Sequence, residues 1–154
     1  MKRYFHYTTE SRIKEIIDSG LIKLATKSIY HKNEKPVTWV STNPQWENTA
    51  TKIVFTITGE SKHLTFEEQV KMLGCARIEV KNIGLNTWAK LIHKANMDKR
   101  AAKGFEETGK MKGANPNEWY GSLKPIRKEK WIKAEIYKNG KWELYQDFEN
   151  KVTD

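Results

Sequence analysis

Arg3-Tyr4-Phe5-His6-Tyr7-Thr8-Thr9 runs without interruption into residues 10–18 and Gly20, and this opening decides the fold. The alternating aromatic residues over 3–8 predict a strand. Thr8 or Thr9 can supply the oxygen that caps the next helix, in which Ile13, Ile16 and Ile17 fall at helical spacing with Leu21 beyond. Gly20, after Asp18-Ser19, supplies the left-handed stop. A strand that ends where a helix begins presents its last polar side chains, here His6, Tyr7 and two hydroxyls, to any cleft at that edge.

Working outward, Leu21-Ile22-Lys23-Leu24 reads as a short extended segment and residues 26–36 as a polar, mobile loop. Residues 37–40 form a strand, residues 41–44 its terminal turn, and residues 45–51 a helical turn before a strand over 53–57, with Ile53-Val54-Phe55 as core material. Thr65-Phe66-Glu67-Glu68 is a capping box that opens a helix to Leu73. Over 75–80, Ala76, Ile78 and Val80 alternate with Arg77 and Glu79, as in a half-buried strand. Residues 86–107 predict two helices broken near Asn96, the second charge-rich and partly exposed, and 110–116 a loop. Residues 131–137 and 141–145 flank Asn139-Gly140, a strong hairpin signal. No repeat or linker divides the chain, so residues 1–154 read as one α+β domain.

Composition narrows the function. Charged residues make up 31% and apolar residues 38% of the 154, which fits a soluble globular domain. Cys75 is the single cysteine, so no internal disulfide can form and a reducing, cytoplasmic setting is expected. The start, Met1-Lys2-Arg3, lacks the apolar run of a signal peptide, and no stretch suits a membrane span. An excess of 28 Lys and Arg over 19 Asp and Glu gives a net charge of +9, which favours phosphates, nucleic acid or an acidic protein surface as partners. Dinucleotide-fold glycine motifs, P-loops and zinc-protease or hydrolase motifs are absent from the sequence, and His6, His31, His63 and His93 lack metal-ligand spacing.

Polar residues at strand ends remain. A neutral His6 can hold a ribose hydroxyl or, alternatively, satisfy a neighbouring strand. Ser41, Thr42 and Asn43 can orient a ligand or a carboxylate, or form an ordinary turn. Trp39 reads as core and Trp46, in a polar turn, as a flat platform for a ring. Glu118, among Gly, Asn and Pro residues, can bind a sugar hydroxyl; Glu135, on a strand, is its rival. Arg77 can reach a pyrophosphate or form a cross-strand ion pair.

Taken together, His6-Tyr7-Thr8, the helix ending at Ser19-Gly20 and the strand ending at Ser41-Thr42 resemble the ADP-ribosyltransferase superfamily. The opening is similar to that of small bacterial and phage proteins in which His-Tyr-Thr precedes an Ile-rich helix. The resemblance implies a mixed or antiparallel split sheet with flanking helices, and NAD as substrate in a cleft between two strand sets. It implies that His6, Tyr7, Thr8, Ser41, Thr42, Asn43, Trp46 and Arg77 bind NAD, with His6 and Ser41 on the nicotinamide ribose. A catalytic carboxylate would complete the site. No late Glu-x-Glu or Gln-x-Glu motif supplies it, which leaves Glu118, acting with His6, or Glu135. The ADP-ribose acceptor would be a protein, a nucleic acid or water. The other reading is a non-enzymatic binding or inhibitor module of phage or mobile-element origin, acting through its basic surface.

Overall fold

The computed structural model describes residues 1–26 and 32–149. The opening strand forms as β1 (Tyr4–Thr9), and Thr9, rather than Thr8, caps α1 (Glu10–Ser19) by accepting the Arg12 N–H. Gly20 stops the helix at φ 75°, a conformation that suits a residue without Cβ. There follow β2 (Leu21–Ile22), β3 (Thr38–Ser41), β4 (Ile53–Phe55), β5 (Ser61–His63), α2 (Phe66–Met72) and β6 (Cys75–Val80). The chain continues through β7 (Asn86–Thr87), α3 (Trp88–Lys94), α4 (Lys99–Met111), β8 (Trp119–Ser122), β9 (Ile126–Arg127), β10 (Trp131–Lys138) and β11 (Lys141–Asp147). Of the loop expected over 26–36, residues 27–31 and His31 with them lie outside the described residues. Its C-terminal side is pinned where the Lys35 N–H donates to the Ala95 carbonyl at 2.7 Å.

Seven strands form one sheet in the order β11-β10-β6-β1-β3-β8-β7, and the paired strands run antiparallel. The fold is therefore α+β with a mostly antiparallel sheet. Several local signals act as expected. The capping box at Thr65 and Glu68 is closed in both directions. Asn96 breaks the helical region at φ 53° between α3 and α4, although α4 extends to Met111, into the expected loop. Asn139 and Gly140, at φ 55° and 74°, make the primed turn between β10 and β11.

Two expectations are corrected. Ile53 and Phe55 are 46% and 75% exposed, because β4 pairs only with β5 in a separate ribbon and never reaches the core. In β6, all six residues are buried, the polar ones included. One face packs Ala76, Ile78 and Val80 with Ile13, Ile22 and Ile136 in the main core. The other carries a buried ionic row across three strands, with Tyr7, Arg77 and Glu135 in register on β1, β6 and β10. Arg77 Nε and Nη2 each lie 2.9 Å from Glu135 Oε1. Its Nη1 donates to the Pro44 carbonyl at 2.7 Å, and the guanidinium lies 4.0 Å from the Phe5 ring and 4.3 Å from that of Trp142. Arg3 holds Glu79 with two bonds of 3.2 and 2.8 Å.

A charge buried this far tolerates loss of its counter-ion poorly. Glu135→Gln keeps the side-chain shape and leaves Arg77 unbalanced, so it is expected to cost about 3–5 kcal/mol in urea unfolding. A loss under about 1 kcal/mol would show that the row is dispensable.

Candidate functional site

β1 pairs with β6 at six positions but with β3 at one, Phe5 opposite Ser41. The sheet parts there, and a side chain takes over the role of the backbone ladder: His6 Nδ1 lies 2.8 Å from the Trp39 carbonyl oxygen. A carbonyl only accepts, so Nδ1 carries the hydrogen and Nε2 holds the lone pair. Burial lowers the imidazole pKa from the usual 6.5; the Trp39 bond opposes this in part, and the Lys52 ammonium adds to the lowering. His6 is therefore neutral at pH 7, and no protein group bonds its Nε2 among the described residues.

Beside this parting lies a cavity of about 410 Å³, in the range of small-molecule sites. His6, Trp39 and Ser41 form the sheet wall, Glu47 and Lys52 the adjoining wall, and α4 the facing wall through Phe105 and Gly109, with Lys112 just past its end. The last of these walls depends on a missing side chain. A Cβ on Gly109 would lie 2.6 Å from the Trp119 ring, so α4 can seat against Trp119 only with glycine at this position. Trp119 in turn packs edge-on to Trp88, with ring centres 5.1 Å apart.

Glu47 is the polar centre of the cavity. It is 7% exposed, and its Oε1 accepts the Ser41 hydroxyl at 2.7 Å. Its Oε2 accepts from the Thr49 hydroxyl at 2.7 Å, the Thr49 N–H at 3.3 Å and Trp119 Nε1 at 3.1 Å. The segment is anchored further by the Lys52 N–H, which donates to the fully buried Gln69 Oε1 at 2.7 Å. A carboxylate oxygen has two lone pairs, so Oε1 retains acceptor capacity after binding Ser41. The site thus brings a fixed negative charge and a neutral imidazole with a free lone pair to one cavity.

Other expected residues fall elsewhere. Tyr7 borders the cavity, but its phenol donates to the Asn43 carbonyl and accepts from Arg77, with its pKa pushed up to about 12 by burial. Thr8 is buried outside the cavity lining. Thr42 and Asn43 are turn residues: the Thr42 N–H donates to the Glu118 carbonyl at 3.0 Å, and Asn43 Oδ1 accepts the Gln45 N–H at 2.9 Å. Trp46 is 5% exposed, donates to Thr51 Oγ1 and packs among Tyr7, Phe66 and Trp142, so it is core rather than platform. Trp39, read as core, is half-buried and lines the cavity beside Trp88 at 6.0 Å. Arg77 forms the ion pair, leaving it unable to reach a pyrophosphate in the cavity.

Neither expected carboxylate lines the cavity. Glu118 sits in a 3-10 turn and accepts from Asn43 Nδ2 at 3.3 Å; Glu135 is held by Arg77. The carboxylate that lines it is Glu47. The sequence signal for it was weak: a Glu six residues after Ser41, preceding a short turn whose N-cap it forms, and Glu is outside the favoured N-cap set.

The chain matches no protein-family model, no curated protein and no solved structure. Among the described residues, no group of three His, Cys, Asp or Glu side chains could hold a metal, and no helix is long and apolar enough to cross a membrane.

The lowered His6 pKa has a definite sign. The unfolded chain takes up the proton more readily, so the stability contributed by neutral His6 is full above about pH 6.5 and falls as the pH drops toward the folded value. Ring-proton NMR is expected to give His6 a titration midpoint below 6.5, and His6→Gln to lessen the loss of melting temperature on acidification. A midpoint above 6.5 would contradict the neutral tautomer.

Proposed function

We propose that the cavity takes the nicotinamide riboside end of NAD as substrate, and that the protein is an ADP-ribosyltransferase-like enzyme using a protein, a nucleic acid or water as acceptor. The observation that carries this reading is the buried Glu47, fixed by Ser41, in the same cavity as the neutral His6. The resemblance of His6-Tyr7-Thr8 and Ser41-Thr42 to the superfamily pattern supports it.

In this reading the His6 Nε2 lone pair accepts a ribose hydroxyl hydrogen, and Glu47 Oε1 takes a second one. Trp39 and Trp88 offer ring faces to the nicotinamide. The bond between ribose C1′ and the nicotinamide nitrogen breaks with both electrons leaving on nicotinamide, which becomes neutral. The positive charge developing on the ribose lies beside Glu47, whose donors hold it in place before the reaction begins. A lone pair of the acceptor then bonds to C1′, and the acceptor loses a proton.

NAD that binds only the folded protein must raise its melting temperature. Millimolar NAD is expected to do so for the wild type and for Glu47→Gln, but much less for His6→Ala. Release of nicotinamide from labelled NAD is expected to fall by about 10²–10³-fold in Glu47→Gln, the scale of removing one electrostatic stabiliser, and to persist in Glu118→Gln. Absence of any thermal shift at millimolar NAD would defeat the reading and leave a non-enzymatic module acting through its basic surface.

A further inference from the structure

The rim of the cavity carries features that the proposed reaction leaves unused. Phe105, on α4, lines the cavity yet is 43% exposed. Directly after Lys52, the β4–β5 ribbon carries Phe55, 75% exposed. The Leu64 N–H donates to the Lys52 carbonyl at 3.1 Å, tying the base of the ribbon to the cavity wall. Phe55 stands three residues further along, roughly 10 Å from Lys52 along the chain at the rise of a strand.

Cations accompany these rings. Lys52 and Lys112 line the cavity. The ion pairs among the described residues include neither of them. Lysines outside any ion pair, beside an exposed ring, leave charge for a ligand's phosphates to meet.

We propose that this rim binds a single strand of nucleic acid, with phosphates on Lys52 and Lys112 and bases stacked on Phe55 and Phe105. A single strand is favoured over a duplex because rings recognise base faces, which a duplex hides. Nucleic acid is favoured over an acidic protein because the ring faces match bases while the cations match phosphates. The proposal rests on the NAD reading only in making the strand the acceptor; binding to the rim stands apart from it.

Fluorescence anisotropy with labelled 12-nucleotide DNA and RNA single strands, without NAD, tests the rim. Binding is expected at about 1–100 µM and to weaken with salt. The two oligonucleotides together show whether the sugar matters. Phe55→Ala and Phe105→Ala are each expected to weaken binding roughly tenfold, while Phe55→Tyr keeps it, since stacking needs only a ring. Lys52→Ala with Lys112→Ala is expected to flatten the salt dependence by about 0.7 in log–log slope for each phosphate no longer neutralised. Lys141→Ala, on the far edge strand, should change nothing.

No binding to either strand, indifference to both phenylalanine changes, or equal weakening by Lys141→Ala would overturn the proposal. Competition by polyglutamate as strong, charge for charge, as by the oligonucleotide would also overturn it, in favour of an acidic protein. An NAD thermal shift without oligonucleotide binding defeats the rim alone; oligonucleotide binding without an NAD shift defeats the NAD reading alone.

Discussion

The backbone of β1 has two edges, and its neighbours use them unequally. Toward β6 the ladder is continuous; toward β3 it closes at Phe5 and Ser41 alone. Backbone groups at a buried edge must find partners, and the Trp39 carbonyl finds one in the His6 ring instead of a β1 amide. That substitution separates the two parts of the sheet without leaving this acceptor orphaned. Ser41, at the last point of contact, is free to turn its hydroxyl onto Glu47. The cavity, the tautomer of His6 and the seat of Glu47 all follow from this local failure of strand pairing.

The walls beside the parting are stiff for different reasons. Behind β1, Arg77 joins three strands through Glu135, Tyr7 and the Pro44 carbonyl, and its planar cation lies between aromatic rings. Across the cavity, shape does the same work: Trp119 fills the space that a side chain at Gly109 would occupy. Groups held in this way need little rearrangement when a ligand arrives, which is what makes fixed charge effective in a site. The β4–β5 ribbon differs, since two strands with their apolar side chains exposed have little to hold them.

Much of the fold was legible because its signals are local. Caps at Thr9 and Thr65, the stop at Gly20, the break at Asn96 and the turn at Asn139-Gly140 each follow from chemistry within a few residues. The β4 ribbon and the double-sided burial of β6 were not legible, because whether a strand enters a sheet depends on partners distant in sequence. The same limit governs the site. His6 and Ser41 lie at strand ends, where spacing announces them. Glu47 becomes a cavity residue only because Ser41 and Trp119, 6 and 72 positions away, converge on it. Trp39 and Trp46 exchanged their expected places because a polar neighbourhood in sequence does not fix which face of a strand end meets solvent.

The place of β1 in the sheet also bears on how the chain folds. Its partner β6 is separated from it by some seventy residues, and β6 in turn borders β10, more than fifty residues further on. Contacts this distant make loop closure a large part of the folding barrier. During synthesis, an aromatic strand that ends at the centre of the sheet emerges long before β6, the neighbour with which it forms its continuous ladder. Its Tyr4, Phe5 and Tyr7 are therefore the residues most in need of protection on the ribosome, and chaperone dependence should centre on them.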